Sequence, residues 1–416
     1  MSTFNSIIDR LDKIKDIAGF NDNEIKYLLK HHQVSKSILN IEGDKLPSWR
    51  IVHNNDLGPG KGGIRFHPEV SEDEVKSLSF WMSMKNSLLG LPYGGAKGGV
   101  KFNPKGKSQK YLEKVSRSYS RAFYKVLGQD TDIPAPDVYT DGQIMAWILD
   151  EYEKKVGHHE PGMITGKPID LGGIALRSDS TARGAYLIFE ELISSLSSRA
   201  KSRDLTNKKD LKIAIQGFGN AGHNFAKMLL DAGYRIVGVS DSRGGMNCQK
   251  KICFDKLTAL KEKEGTVKSC ECPMGRQISN DELLELDVDV LILAALENQI
   301  TKENAGKIKA KYIIELANGP ITPEADKILF EKGVAIVPDI LANAGGVVVS
   351  YFEWAQNRTG NILDPEYLKK KLELMMKDAW KRVSDQAKES KTDYRTAAYI
   401  IAMKRILSAA KLRGKI

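Results

Sequence analysis

The fold class of this chain is decided by residues 211–230, LKIAIQGFGNAGHNFAKMLL. An apolar run typical of a buried strand leads into Gly217, Gly219 and Gly222, where a helical pattern begins. The next apolar run, YRIVGVSD, ends at Asp241. That is close to the ~20 residues downstream at which a dinucleotide-binding strand–turn–helix unit places an acidic side chain. The stretch therefore predicts a dinucleotide-binding turn.

Further short apolar runs follow toward the C-terminus, again alternating with helical segments. They are VDVLILAAL (288–296), KYIIELANG (311–319) and VAIVPDILA (334–342), and helix-length segments separate them. Buried strands separated by crossover helices predict an α/β fold with a doubly wound parallel sheet, as in a Rossmann-type domain.

The rest of the sequence predicts how the chain divides. Residues 197–210 form a polar, basic connector, and a helical region starts at Asp364 and Pro365, a favourable N-cap and first-turn pair. We expect a first α/β domain at residues 1–180, a nucleotide-binding domain at 181–345, and a helical segment at 346–416 that packs back on the first domain.

Composition and charge exclude several classes of protein. The 416 residues are 41% hydrophobic and 28% charged, values typical of a folded chain of two domains. The net charge of +10 arises from 63 basic and 53 acidic residues that are scattered among one another. A nucleic-acid-binding role is therefore a minor alternative, which predicts binding that falls steeply with salt. The longest apolar stretch, residues 288–297, has about half the ~20 residues of a membrane span. We expect a cytoplasmic protein with neither a nucleic-acid nor a membrane partner.

The four cysteines lie close together, at Cys248, Cys253, Cys270 and Cys272. Their C-x4-C and C-x-C spacings differ from the usual pairing of zinc ligands, so reduced thiols are the favoured interpretation and no metal is predicted. A zinc site or a local disulfide remains an alternative.

The glycine turn carries information about the cofactor. Glycines let the backbone approach a pyrophosphate, which is attracted to the amide groups at a helix N-terminus. Asp241 would accept hydrogen bonds from the adenosine ribose, which favours NAD, whereas Arg243 could accept the 2′-phosphate of NADP. Both cofactors therefore stay open.

Three lysines stand out in the first domain. The segment from Ser71 to Gly90 predicts a helix with Ser71 and Glu74 in capping-box spacing. Lys85 shares its apolar stripe, which also contains Val75, Leu78, Met82 and Leu89. Lys61 and Lys97 each lie among glycines, without the Gly-Lys-Ser/Thr ending of a nucleoside-triphosphate loop.

In combination, eight segments of the chain resemble the hexameric glutamate dehydrogenases of the Glu/Leu/Phe/Val dehydrogenase family, and most closely the archaeal members. The resemblance rests on GPGKGGIRFHPEV (58–70), MKNSLLGLPYGGAKGGVKF (84–102), DIPAPDVYTD (132–141), TARG (181–184), GFGNAG (217–222), ALEN (295–298), ELANGP (315–320) and NAGGVVVSYFEW (343–354). It implies a substrate-binding and oligomerisation domain followed by a nucleotide domain, and a homo-hexamer.

The resemblance also implies roles for individual residues. Lys97 would be the catalytic lysine and Asp137 its acid/base partner. Lys85 would bind the substrate α-carboxylate, and Lys61 and Ser350 the distal carboxylate. Ala135 and Val347 would form walls of the side-chain pocket. The cofactor would contact Thr181, Gly217, Phe218, Gly219, Asn220, Ala221, Gly222, Asp241, Asn318 and Asn343.

The implied reaction is the NAD- or NADP-dependent conversion of L-glutamate to 2-oxoglutarate and ammonium. Leucine and phenylalanine dehydrogenases resemble this layout but have apolar groups in place of the distal lysine and serine. Lys61 and Ser350 therefore favour glutamate over another amino acid. The remaining alternative is a catalytically silent subunit that binds nucleotide and regulates an active partner.

Overall fold

A computed structural model describes residues 3–199, 210–269 and 275–416. The chain forms two compact units. Unit 1 comprises Met1–Arg177, Val347–Lys370 and Tyr399–Ile416, and unit 2 comprises Ser178–Gly346 and Lys371–Ala398. The predicted C-terminal segment, 346–416, is thus shared between the units, and most of the predicted connector lies outside the described residues.

Within the described residues, unit 1 is built on a five-stranded mixed sheet with the order β1-β2-β4-β3-β5. The strands are β1 (Gln33–Ile41), β2 (Asp44–Asn54), β3 (Gly60–His67), β4 (Gly95–Lys101) and β5 (Asp132–Pro136). Strand β3 lies parallel to both β4 and β5, whereas β1–β2 and β2–β4 are antiparallel. The parallel strands carry the glycine-rich segments that contain Lys61 and Lys97.

The first five helices cover the two faces of this sheet. They are α1 (Thr3–Ala18), α2 (Asp22–Leu29), α3 (Glu72–Leu88), α4 (Gln109–Phe123) and α5 (Gly142–Val156). One face packs on α4 and α5 through a large apolar core that includes Ile64, Phe66 and Val100. The opposite face carries a small cluster of Ile51, Val70 and Val75, the last of which belongs to α3.

Unit 2 contains a seven-stranded sheet, counted over the part of the chain that the structure describes, with the order β12-β11-β10-β6-β7-β8-β9. The strands are β6 (Lys212–Gln216), β7 (Arg235–Asp241), β8 (Gly244–Cys248), β9 (Gly275–Ile278), β10 (Val290–Leu293), β11 (Tyr312–Glu315) and β12 (Ala335–Val337). All the predicted apolar runs form parallel strands, and β8 and β9 extend the edge in antiparallel pairing. The predicted α/β fold class is confirmed.

The remaining helices begin at α6 and continue to the C-terminus. They are α6 (Ser180–Arg199), α7 (Asn220–Asp231), α8 (Phe254–Glu264), α9 (Asn280–Leu284), α10 (Pro323–Glu331), α11 (Asp339–Ala342), α12 (Gly345–Thr359), α13 (Pro365–Glu389) and α14 (Tyr394–Leu412). Asp364 caps α13 as predicted, because its Oδ1 accepts the backbone N–H groups of Glu366 and Tyr367. No helix in the described ranges is long and apolar enough to span a bilayer.

Candidate active site

Strand alternation gathers several candidate residues of unit 1 on one face of the sheet. Lys61 pairs with Ile133, and Gly63 pairs with Ala135 two residues further along the parallel strands. Side chains two apart on a strand share a face. Lys61 and Ala135 therefore project to the same side, as does Asp137 directly after β5. Gly63 is required there, since an added Cβ would lie 2.8 Å from the Cβ of Asp137.

Lys97 and Asp137 form a direct ion pair at this face. The Nζ of Lys97 donates to Oδ1 of Asp137 at 2.8 Å, and the lysine side chain is only 5% exposed. Burial lowers the pKa of Lys97, and the charge of Asp137 opposes that effect without cancelling it. Burial acts to raise the pKa of Asp137, but the charges of Lys97 and Arg65 outweigh it and hold the pKa well below its usual range. The carboxylate is ionised at neutral pH.

A turn fixes the backbone of Asp137. Its N–H donates to Oγ1 of Thr140 at 2.7 Å, and that hydroxyl donates to the carbonyl of Ile64 on β3. Tyr139, inside the turn, has a φ of +55°, which a non-glycine residue adopts only where the surrounding structure imposes it. The carboxylate is thereby presented from a rigid loop.

Lys61 is buried in a cluster of charges at the other end of β3. Burial, with the nearby charges of Arg50 and Arg177, lowers the pKa of Lys61 to about 7, and Glu353 and Asp132 oppose the shift. The Nζ of Lys61 donates to the carbonyl of Pro134 at a long 3.4 Å. Arg50, Arg177, Asp132 and Glu353 were not predicted from the sequence.

Two buried carboxylates hold this cluster together. Arg50 binds Asp132 through Nε and Nη2, with an Nε–Oδ2 distance of 2.7 Å, and its Nη1 donates to the carbonyl of Gly62, next to Lys61. Glu353 accepts Nζ of Lys167 and the N–H of Gly166, each at 2.8 Å. The first pair fixes the backbone next to Lys61, and Glu353 fixes the backbone at Gly166.

Helix α12 carries Val347, Ser350 and Glu353 at three-residue spacing, which places them along one side of the helix. Ser350 is 3% exposed, and Val347 is half-buried. Because Glu353 interacts with Lys61, this side of α12 faces the Lys61 cluster. Val347 and Ser350 thus lie on the same side of α12 as Glu353, and their grouping with Lys61 in one pocket stays a prediction.

The side chains that helix α3 buries are not all those of the predicted apolar stripe. Ser71 caps it as expected, accepting the N–H of Glu74 at 3.2 Å. However, Leu78, Met82 and Lys85 are half-buried, and the buried positions include Ser77, Ser79, Phe80, Ser83 and Met84. Of the predicted apolar stripe, Val75 and Leu89 are buried, whereas the stripe residues between them are only half-buried.

Small residues explain this packing. An added Cβ on Gly95 of β4 would lie 2.1 Å from the backbone nitrogen of Ser83, so the helix and strand approach through a glycine and a serine. The hydroxyl of Ser79 donates to a helix carbonyl and is satisfied locally. Lys85 is left on the half-open side of α3.

The predicted dinucleotide turn of unit 2 has the geometry that a pyrophosphate requires. Gly217 has a φ of +98°, and an added Cβ on Gly222 would lie 1.9 Å from the carbonyl oxygen of Gly217. An added Cβ on Gly219, the N-cap of α7, would meet nothing within 4 Å, and no side chain of the described residues caps this helix. Open space at a helix N-terminus that lacks a side-chain cap suits an anionic group. Phe218, Asn220 and Ala221 complete the segment.

Asp241 lies at the end of β7, as predicted, but its carboxylate is already engaged. Among the described residues, Oδ1 accepts the N–H of Arg243 and Oγ1 of Thr266, and Oδ2 accepts Nζ of Lys261 and the N–H of Val267. The distances run from 2.8 to 3.1 Å. A carboxylate offers about four acceptor positions. A ribose hydroxyl could therefore bind only by displacing one of these donors.

The remaining cofactor candidates, Thr181, Asn318 and Asn343, lie on segments that contact one another. Nδ2 of Asn343 donates to Oδ1 of Asn318 at 2.9 Å and to the carbonyl of Leu316. An added Cβ on Gly345, two residues after Asn343, would lie 2.1 Å from the carbonyl oxygen of Ser180, the neighbour of Thr181. The structure thus brings Thr181, Asn318 and Asn343 to one region of unit 2.

Comparison with known proteins gives the family. Residues 172–414 match the family described as Glutamate/Leucine/Phenylalanine/Valine dehydrogenase, and residues 31–154 match the Glu/Leu/Phe/Val dehydrogenase dimerisation domain. The chain belongs to this dehydrogenase family. It is accordingly an oxidoreductase of the amino-acid dehydrogenase class with a two-domain α/β fold.

Relatives of this dehydrogenase cover nearly its whole length. It is 46% identical to the NAD-specific glutamate dehydrogenase of Staphylococcus aureus (strain COL) over 366 residues, which are 88% of this chain and 86% of the relative. It superposes on a Leu-bound hetero-hexameric glutamate dehydrogenase from Thermus thermophilus with a TM-score of 0.91 and 31% identity, over 99% and 97% of the two chains. Glutamate dehydrogenase from Peptoniphilus asaccharolyticus gives 0.85 and 36%, over 100% of both chains.

The dehydrogenase shows no candidate metal cluster in the residues that are described. Cys248 is buried on β8, and Cys253 precedes the first residue of α8. Cys270 and Cys272 lie outside the described residues, so the predicted absence of zinc at this cluster stays a prediction.

Proposed function

We propose that this dehydrogenase catalyses the reversible oxidative deamination of L-glutamate to 2-oxoglutarate and ammonium, with NAD as cofactor. The proposal draws on two independent sources. One is the similarity to enzymes named NAD-specific glutamate dehydrogenases over 88% of the chain. The other is the charge distribution around Lys61.

The excess of buried positive charge at Lys61 is the observation that carries the substrate assignment. Among the described groups, Lys61, Arg50 and Arg177 share the cluster with the carboxylates Asp132 and Glu353. Asp132 is paired with Arg50 and Glu353 with Lys167, and among the described ion pairs none includes Lys61. A buried cation is unfavourable without a counter-charge. The distal carboxylate of glutamate would provide one, whereas leucine, phenylalanine and valine have none.

Lys61 and Ser350 bind that distal carboxylate in this proposal, and Arg177 adds a nearby positive charge. Lys85, on the half-open side of α3, binds the α-carboxylate. Ala135 and Val347 line the aliphatic part of the substrate.

Lys97 and Asp137 carry the proton transfers. Because burial lowers the pKa of Lys97, its amine gives up its proton more readily than that of an exposed lysine and can act as a base. Lys97 takes a proton from the water that attacks the imino carbon of the oxidised substrate. The ionised carboxylate of Asp137 accepts hydrogen bonds from the substrate nitrogen, which leaves as ammonium.

For the cofactor, the proposal keeps the assignments that the sequence resemblance implies, except that of Asp241. When bound, the nicotinamide ring accepts the hydride of the substrate α-carbon. The amides of the GFGNAG segment (217–222) bind the pyrophosphate, and Thr181, Asn318 and Asn343 bind the carboxamide. Asp241 acts by holding Arg243 and Val267 in place, since its own acceptor positions are filled.

We also propose that the enzyme assembles as a homo-hexamer. The chain contains a match to the family's dimerisation domain, and the Thermus thermophilus relative is hexameric by its name. Strand β1 is the outermost strand of its sheet and exposes Val34 and Ile38, which is unusual for a strand without a partner in the assembly. Light scattering of the purified protein tests this, and a monomeric mass would refute it.

The experiment that tests the function is the initial rate of reduced-nicotinamide formation from L-glutamate, with NAD and NADP in parallel. L-norvaline, which lacks the distal carboxylate, and L-leucine are the control substrates. We expect turnover with glutamate and NAD. Nucleotide binding without turnover, from folded protein, would instead favour the silent-subunit alternative, and faster turnover of leucine would refute the substrate.

A further inference from the structure

Arg65, on β3, connects the Lys97–Asp137 pair to helix α3. Its Nε donates to Oδ2 of Asp137 at 2.8 Å, and its Nη1 donates to Oε1 of Glu74 in the first turn of α3. The side chains of Arg65 and Asp137 are 16% and 15% exposed. Glu74 would complete the capping box of α3, but its carboxylate binds Arg65 instead.

We propose that Arg65 is a positioning residue for the reaction, which holds Asp137 so that one carboxylate oxygen stays directed at Lys97, and that Glu74 in turn holds Arg65. The inference rests on the proposed function, because it assigns Arg65 to the same proton-transfer step.

The inference is based on the fact that the two carboxylate oxygens of Asp137 bind different side chains. Arg65 occupies Oδ2, Lys97 occupies Oδ1, and Thr140 fixes the backbone nitrogen. The orientation of the carboxylate is therefore held by two side chains, on a backbone that Thr140 fixes. Without the guanidinium, both oxygens become available to Lys97, and the carboxylate can rotate about its Cβ–Cγ bond. An orientation held by two side chains would then be held by one.

Arginine suits this position better than lysine. Its planar guanidinium can bind two carboxylates through different nitrogens at fixed angles, whereas an ammonium group is a single point charge. Glu74 belongs to a helix that packs on the sheet through Gly95 and Ser83. Arg65 is thus anchored to the scaffold at the end opposite to Asp137.

The positive charge of Arg65 also lowers the pKa values of the two proton-transfer groups. Among the described residues, the charged groups that act most strongly on Lys97 are Asp137, Arg65 and Glu74. Burial is the main cause of the lowered pKa of Lys97, and Arg65 lowers it further. Arg65 also helps to keep the pKa of Asp137 low. Its removal should therefore raise the pKa of both groups, and a base that must lose its proton will become active only at higher pH.

The test compares Arg65→Met, Arg65→Lys and Glu74→Gln with wild type and with Arg121→Met. Arg121 is an exposed arginine that pairs with Glu151 on helix α5, so it serves as a matched control. For each protein, kcat and KM for glutamate are measured from pH 6 to 10, together with the melting temperature and NADH binding.

We expect kcat of Arg65→Met to fall about 100-fold, the loss typical of misplacing a catalytic group by about 1 Å. KM for glutamate and NADH binding should change little, and the acidic limb of the kcat profile should move to higher pH. Arg65→Lys should restore part of kcat and most of the wild-type position of the acidic limb. Lysine restores the positive charge but not the planar guanidinium that binds two carboxylates. Glu74→Gln should show a smaller loss of kcat than Arg65→Met.

A wild-type kcat and pH profile in folded Arg65→Met would overturn the inference, as would a loss of kcat with an unmoved profile, since a merely structural defect predicts that result. Wild type without glutamate turnover would refute the proposed function instead. In that case the pH dependence of Lys97 reductive methylation, followed by peptide mass spectrometry, still decides the inference. Its midpoint should be higher in Arg65→Met than in wild type, and equal midpoints would refute it.

Discussion

Lys97 and Asp137 are 40 positions apart in sequence, yet Nζ of the lysine lies 2.8 Å from Oδ1 of the aspartate. One residue lies inside a strand and the other directly after the end of a second strand. They meet because β4 and β5 both flank β3 in parallel register. Lys97 is held by the sheet and Asp137 by a turn that is hydrogen-bonded to the sheet, which gives a proton-transfer pair a fixed geometry.

Lys97→Met should abolish most turnover and leave the fold intact. We expect kcat to fall by about 10³-fold, within the range known for general acid–base groups. Asp137 keeps Arg65 as a partner, so no buried charge is left unpaired. Lys101→Met, an exposed position on the same strand, is the control. The measurements are kcat, NADH binding and melting temperature, and a variant that has lost its fold or kept its kcat would contradict the assignment.

Lys61→Leu should weaken the use of glutamate specifically. A hydrogen bond to a charged group contributes about 1.5–3 kcal/mol, so kcat/KM for glutamate should fall about 10- to 100-fold. Turnover of L-norvaline should rise, because the pocket loses a buried cation and gains apolar surface. Lys101→Leu again serves as the control. Unchanged glutamate kinetics in Lys61→Leu would remove Lys61 from the distal-carboxylate site.

Dicarboxylate binding should depend on pH through Lys61. Its pKa is lowered to about 7, so the free enzyme carries the charged amine below that pH and loses it above. The affinity for glutarate, a dicarboxylate without an amine, should therefore fall as pH rises, by up to about tenfold per pH unit. Calorimetry at pH 6, 7 and 8.5 measures it, with proton uptake expected on binding. The same pH dependence in Lys61→Leu would assign the effect to another group.

Alanine at two glycines of the nucleotide turn should have separable effects. Gly222→Ala places a Cβ against the carbonyl of Gly217, and should lower both NADH affinity and the free energy of unfolding, the latter by about 1–3 kcal/mol. Gly219→Ala meets no protein atom within 4 Å, and should lower NADH affinity with little change in melting temperature. Gly306→Ala, also in open space, is the control. Normal NADH binding by Gly219→Ala would place the pyrophosphate elsewhere.

The sequence predicted the parts of the site that depend on local patterns. The glycine spacing from Gly217 to Gly222 gave a turn whose torsion angles and close contacts agree with the prediction. The stripe on α3 was predicted less well, because hydrophobicity alone grouped Leu78 and Met82 with Val75 and Leu89, which are buried more deeply. Serines are buried instead, since a small side chain allows the helix to approach glycines on β4.

Arg65 was missed although a signal was present. It follows Lys61 and Gly63 at a spacing of two, and strand alternation would have placed it on the same face as both. Asp241 shows the opposite case. Its position was predicted, but the donors that fill its carboxylate come from residues 243–267, whose folding around it no motif describes.

The sequence by itself determined the fold class, the dinucleotide turn and the family. These follow from periodicity, glycine positions and motifs, which are local properties of the chain. Only the tertiary structure decided which charges surround Lys61 and which cation holds Asp137. Arg50, Arg177 and Glu353 reach Lys61 from distant segments, and the pKa of a buried group depends on every charge within a few ångströms, whatever its position in the sequence.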